Sequence, residues 1–178
     1  SVGGDHSISF PVLKALKQRF PDLKLVWLDA HLDLKRPVDG HVSHDVVVRE
    51  LLNYGFSEDD IVFIGITEVD HDEKDFLKDH EFRIYRSGDV LLSEALEKER
   101  FEDPTYLSVD IDALTAEEAP GTGYRDGSLS SEQVLEVIES VNPDHGDIVE
   151  VAPSLDRNRR TVGNARKILK KLLESVKK

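Results

Sequence analysis

The stretch "DIVFIGI" (residues 60–66) is apolar at almost every position. A strand with one wet face alternates polar and apolar residues. An uninterrupted apolar run needs cover on both faces, which a parallel sheet between two helical layers supplies. "LKLVWLDA" (23–30), "TYLSVDID" (105–112) and "GDIVEVAP" (146–153) also read as strands, and "FRIY" (82–85) as a short one. Helical patterns separate them: "PVLKALKQRF" (11–20), "SHDVVVRELLNYG" (43–55, with Ser43 a candidate N-cap and Gly55 a stop), "DHDEKDFLKDH" (70–80), "DVLLSEALEKER" (89–100), "SSEQVLEVIESV" (130–141) and "TVGNARKILKKLLESVKK" (161–178). This alternation predicts an α/β fold, three-layer α/β/α with a mostly parallel sheet. Ligands of such sheets sit outside the carboxyl ends of the strands.

The 178 residues suffice for one core, and a single domain over 1–178 is expected. A formal net charge of −13 argues against nucleic acid. No apolar run is long enough to span a bilayer and no signal peptide is visible, so a cytoplasmic protein without a membrane partner is the default expectation. Cysteine is absent, so any metal must be held by oxygen and imidazole, as suits manganese, iron, zinc or magnesium. Methionine is absent too, and the chain opens directly on "SVGGDHS", which suggests a start inside a larger fold.

The polar residues at the strand ends are unusual. Asp29, His31 and Asp33 follow one strand, Asp110 and Asp112 end another, and Glu150 ends a third. "GGDHS" (3–7) opens a helix and places His6 at a turn. A spacing of two puts side chains on one side of an extended chain. Neighbouring strands would then gather four carboxylates and two imidazoles. Gathered unpaired carboxylates cost several kcal/mol each (roughly). Two divalent cations would offset four of them and lower the pKa of a water between them. Against this, 36 of the 178 residues are Asp or Glu, and a lone acidic pair at a strand end is more often a cap or turn former. Three such clusters at three strand ends favour the metal reading.

"GGDHS", "DAHLD", "SVDID", "APGTG" and "DIVEVAP" occur in the order found in the ureohydrolases, the family of arginase and agmatinase. The resemblance runs from Gly3 to the last helix and is closest to the archaeal agmatinase-like branch. It implies two Mn²⁺ per site: His6, Asp29, Asp33 and Asp110 on the first, and Asp29, His31, Asp110 and Asp112 on the second. It further implies catalytic roles for Asp33 and His44, the latter as acid/base, and Glu150 as the acid that holds a guanidinium. The implied reaction is hydrolysis of a guanidino carbon with release of urea, agmatine being the expected substrate. Arginase, guanidinobutyrase and formimidoylglutamase activities are the alternatives, as is a metal-binding homologue with a regulatory or assembly role. A mononuclear zinc deacetylase on a related fold would need fewer ligands than the six present.

The resemblance has gaps. Thr115-Ala116 stands where the family has Asp-Pro, Gly127-Ser128 where it has Gly-Gly, Ala152 for an asparagine, Thr67 for an arginine, and Asp45 for the glycine after the histidine. The family's first strands, before "GGDHS", are missing. An exposed sheet edge is therefore expected, in a piece of a longer protein or in a form covered by association. The resemblance also implies a homo-oligomer. His41 is a candidate support for the site loop. His71, His80 and His145 read as solvated, and Arg157, Arg159 and Arg160 as surface charge.

Overall fold

The computed structural model describes residues 1–86, 92, 96–97, 99–101 and 104–176. Its sheet has five strands: β1 (Lys24–Leu28), β2 (Ile61–Ile66), β3 (Arg83–Arg86), β4 (Thr105–Asp110) and β5 (His145–Val149). All pair in parallel, in the order β3-β2-β1-β4-β5. The α/β class and the parallel sheet expected from the apolar runs are therefore correct. The helices are α1 (Ser9–Arg19), α2 (Val47–Tyr54), α3 (His71–Phe76), α4 (Ser131–Val141) and α5 (Arg160–Ser175). The helix expected at 89–100 lies largely outside the described residues.

Alternation along each strand divides the core in two. Leu25, Trp27, Ile61 and Phe63 face one layer, where they pack with Leu13 of α1 and Val47, Val48 and Leu51 of α2. Val26, Leu28, Val62, Ile64, Leu107 and Val109 face the other, against Val134, Val137 and Ile138 of α4 and Ile168 and Leu172 of α5. Every residue of β2 and β4 is buried, as the unbroken apolar runs required. Local signals set the helix ends. Ser130 and Gln133 form a capping box at α4, and Asp70 and Glu73 form one at α3. Ser43 does not cap the backbone as expected; its hydroxyl bonds the Asp45 carboxylate at 2.5 Å instead. A 3-10 turn, His44–Val46, therefore precedes α2.

The order of strands places β1 at the centre. The chain runs from β1 outward through β2 to β3, then returns to the other side of β1 as β4. The carboxyl ends of β1 and β4 thus flank the point where strand order reverses, where open α/β sheets bind ligands. The edge beyond β5 is partly covered by residues 1–4. Val2 bridges Ile148 in parallel, and the Glu150 amide donates to the Gly4 carbonyl at 2.9 Å. This short rail delivers His6 to the same end of the sheet.

At the opposite end, Asp60 accepts Lys17 of α1 at 2.9 Å and Lys24 of β1 at 2.7 Å, and so ties both to the start of β2. Burial opposes ionisation of this carboxyl, but the two lysines and the Ser57 backbone amide hold it well below the usual carboxylate range. A depressed folded-state pKa stabilises the fold above the unfolded-state value, near pH 4 (about 3.9), and that contribution is lost as pH falls through the folded value. With Lys24 partly in solvent, Asp60→Asn should lower stability at pH 7 by about 1 kcal/mol. It should also flatten the loss below about pH 4. Urea melts at a series of pH values would check both.

Candidate metal centre and its pocket

Asp29 and Asp33 follow β1, but not on the extended chain that their spacing suggested. The strand ends at Leu28, and Asp33 has a left-handed backbone, φ 51°. Asp112 likewise sits on a 3-10 turn, Ile111–Ala113, whose start is capped by Asp110 Oδ1 accepting the Asp112 amide at 2.7 Å. Glu150 is left-handed as well, φ 62°. The turns have a common reason. Two adjacent parallel strands hold their side chains apart, and the chain must curl over the sheet end to bring carboxylates from both strands to one point. Non-glycine residues in this region cost of order 1–3 kcal/mol and cluster at functional sites.

The result is two histidine–carboxylate groups that share Asp29. His6 Nδ1 lies 3.1 Å from Asp29 Oδ2, 3.1 Å from Asp110 Oδ2 and 3.4 Å from Asp33 Oδ2. His31 Nδ1 lies 3.4 Å from Asp29 Oδ1 and 3.2 Å from Asp112 Oδ2. Each oxygen of Asp29 thus faces a different imidazole. Donors held about 2.1 Å from one ion stand roughly 3.0–3.4 Å from each other, so both groups have the spacing of a ligand set.

Hydrogen bonding behind His6 fixes which nitrogen faces the carboxylates. Asp147 is fully buried in β5 and accepts the hydroxyls of Ser9 at 2.6 Å, Tyr106 at 2.7 Å and Ser108 at 2.7 Å. Having given its one proton to Asp147, the Ser108 oxygen accepts His6 Nε2–H at 2.8 Å. His6 is also stacked on Trp27, with ring centroids 3.9 Å apart. Nδ1 must then point at the acids, and outer partners of this kind orient metal-binding imidazoles. His6 Nδ1 and Asp29 Oδ2 are buried with no hydrogen-bond partner among the described residues. Two orphaned donor atoms, one from each residue and 3.1 Å apart, fit a cation.

The electrostatics say the same. Burial pushes His6 down, yet the pull of Asp110 and Asp29 carries it well above its ordinary value. His31, also opposed by burial, is raised to about 11 by Asp112 and Asp29. Burial raises Asp33, helped by the charge of Asp29, and raises Asp110, helped by Asp112 and Asp29. Asp112 rises to about 6 through burial and Asp29. Burial works against the charge on Asp29, but His31 and His6 hold it well below the carboxylate range. The cluster draws in positive charge, as protons or as metal.

Both groups line a cavity of about 270 Å³. His44 and Glu150 line it too, so all the residues singled out in the sequence as ligands or catalysts meet there. Glu150 Oε1 accepts the His6 amide at 2.7 Å. His41 is exposed and does not line the cavity. Of the histidines read as solvated, His71 is exposed, but two are half-buried: His80, whose Nδ1 lies 2.5 Å from Glu58 Oε1 and whose ring stacks on Phe76, and His145, which starts β5 with its ring 5.4 Å from that of Phe20. Two positions expected to depart from the family pattern are held by hydrogen bonds. Thr67 donates to the Ala30 carbonyl, and the Thr115 amide donates to that of Leu129.

Sequence reasoning missed Ser108, Asp147, Glu73, Tyr124 and Asp126. An acid between the apolar residues of β5 was a legible signal for Asp147. Glu73 is buried and accepts the amides of Leu34 and Asp70, which fixes the loop after Asp33.

Residues 1–174 match the arginase family. The chain belongs to that family. It is 34% identical over 181 residues to an agmatinase of Bacillus subtilis and 32% identical over 192 residues to an arginase of Staphylococcus aureus. These alignments cover 97% and 92% of this chain but 61% and 63% of those proteins, so the chain spans about six-tenths of the curated relatives it matches. The fold is similar to that of proclavaminate amidino hydrolase from Streptomyces clavuligerus, with a TM-score of 0.88 at 28% identity over 98% of this chain and 62% of that one. Arginase from Bacillus caldovelox gives 0.85 at 26% identity over 96% and 67%.

The shared Asp29 predicts an asymmetry among variants. Manganese-loaded chain should hold two ions, counted by elemental analysis, with a raised melting temperature that chelation reverses. Asp29→Ala should lose both ions, whereas Asp112→Ala should lose one. Ser108→Ala should keep the fold and weaken the ion beside His6 by about tenfold or more in calorimetry.

Proposed function

We propose that the chain carries the centre of a binuclear manganese amidinohydrolase, which cleaves a guanidino C–N bond to release urea, with agmatine as the expected substrate and putrescine as the second product. The observation that carries this reading is the sharing of Asp29 between two histidine–carboxylate groups, in one pocket with Glu150 and His44. His6, Asp29, Asp33 and Asp110 would hold one ion, and His31, Asp29, Asp110 and Asp112 the other. When bound, two divalent cations offset the gathered carboxylates and acidify water at neutral pH.

The chain's own groups do the rest. A guanidinium is planar and always charged, and a carboxylate meets it with charge-assisted bonds. Glu150 uses Oε1 on the His6 amide, so Oε2 is left to hold the guanidinium against the floor of the pocket. Asp33 Oδ2, beside His6 Nδ1, is placed to accept a hydrogen bond from the attacking water and aim it. The water oxygen bonds to the guanidino carbon as one of its protons passes by way of Asp33 to the alkyl nitrogen and the other is lost to solvent, and the bond to that nitrogen breaks. His44 gives the leaving nitrogen its proton and is recharged from solvent, a role suited to an imidazole. The products are urea and an alkylammonium ion.

Urea release from a panel of guanidines by manganese-loaded protein tests the reading. Two bound ions with no urea from any guanidine would leave the regulatory or assembly homologue, a reading that the altered positions Thr115, Ser128 and Ala152 also motivate. Glu150→Gln should raise KM and slow turnover with metal content held. His44→Ala should lower kcat by about 10²-fold or more with both ions bound. Metal loss in that variant would make His44 a ligand instead.

A further inference from the structure

Two residues that line the pocket, Tyr124 and Asp126, have no part in the proposed chemistry. Both lie on the arm between Gly121 and Gly127, which is clamped at each end. A Cβ on Gly121 would stand 2.5 Å from Asp156 Cβ, and the Gly121 amide donates to Thr161 Oγ1 at 2.7 Å. A Cβ on Gly127 would stand 2.0 Å from the carbonyl oxygen of Asp112. Only glycine permits that approach, so the far end of the arm is pressed onto the turn that carries Asp112.

Between the clamps the arm reaches over the pocket. The Tyr124 ring meets His31 edge-on, with centroids 5.3 Å apart, and stands 6.3 Å from His44. Asp126 Oδ2 is 3.9 Å from His31 Nε2. Exposure orders these groups along the pocket: Asp29 1%, the His31 side chain 25%, the Asp126 side chain 44%, Tyr124 52%. Asp29 marks the floor and the arm forms the lip. A guanidinium held at the floor would send its alkyl tail out past Tyr124 to Asp126.

The lining is one-sided in charge. Ten carboxylates line the cavity, and Lys35 is its one ammonium among the described residues. Lys35 is already engaged, at 2.7 Å from Asp70 and 3.7 Å from Asp45. Two divalent cations would offset Asp29, Asp33, Asp110 and Asp112, and would leave six lining carboxylates against that lysine. Among the described lining residues, a substrate tail ending in a carboxylate would meet chiefly like charge, whereas an ammonium would meet Asp126.

We infer that the Tyr124–Asp126 arm is the specificity element for the far end of the substrate: Tyr124 walls the methylene chain and Asp126 takes a terminal ammonium, so the pocket selects dicationic guanidines. This rests on the proposed guanidine hydrolysis. An aromatic face beside a carboxylate suits an alkylammonium, which presents both apolar stem and charge.

The test uses manganese-loaded full chain and three ligands with the same guanidinium and different tails: agmatine, 4-guanidinobutyrate and n-butylguanidine. In Asp126→Asn the ratio of kcat/KM for agmatine to that for n-butylguanidine should fall at least tenfold, through KM. Tyr124→Ala should raise KM for agmatine and n-butylguanidine alike, and Tyr124→Phe should restore it. In the unaltered chain, added salt should raise KM for agmatine more than for n-butylguanidine. This readout stands even if a variant does not fold. Equal losses on agmatine and n-butylguanidine in Asp126→Asn would make Asp126 a support for His31 and overturn the inference. If no guanidine is cleaved, the proposed function fails separately. Calorimetric Kd values then decide specificity: agmatine binding no tighter than 4-guanidinobutyrate would defeat it.

Discussion

Four carboxylates and two imidazoles are packed at the end of a buried sheet, and this concentration of charge governs the rest of the structure. Such a cluster is stable only if its charges are offset and its geometry is held. Asp147 with its three hydroxyl donors, the stacked Trp27, and Glu73 across two backbone amides all serve that holding. All are buried, and Trp27 and Tyr106 also belong to the apolar core. Ser9, Ser108, Asp147 and Glu73 are buried polar groups that hold the site in place.

The sheet order makes the cluster possible. With β1 at the centre and β4 beside it, the turns after the two strands open over the same patch. The rail formed by residues 1–4 on β5 brings His6 to it from the side. Each helix layer then needs only to cover its own face of the strands, and α1, α2, α4 and α5 do so with ordinary aliphatic packing. Scaffold and site are separable in this sense: one is set by burial, the other by what hangs off the strand ends. That separation lets loops of one fold be rebuilt while its scaffold is kept.

Much of this was legible in the residues. The unbroken run in β2 called for two covering layers, and the acids at the ends of β1, β4 and β5 marked the binding end of the sheet. The spacing of two pointed to residues that do meet in one cavity, but they come together through turns and not on an extended chain. Asp29, His31 and Asp33 were read as alternating on an extended chain, but the strand stops at Leu28 and Asp33 turns left-handed. His80 and His145 are half-buried and not fully solvated, because a sequence cannot show that Glu58 and Phe76 pack beside one and Phe20 beside the other.

The sequence by itself determined the layered α/β class, the strands and helices, and the residue types able to hold metal, because burial patterns and ligand chemistry are properties of residues and their near neighbours. Only the tertiary structure decided that Asp29 faces two imidazoles, that Ser108 and Asp147 turn His6 Nδ1 toward the acids, and that Tyr124 and Asp126 stand at the lip of the pocket. Those relations join residues up to 100 or so positions apart, as the bond between His6 and Ser108 does across 102. They depend on strand order and on turns whose direction is set by packing, which no local pattern encodes.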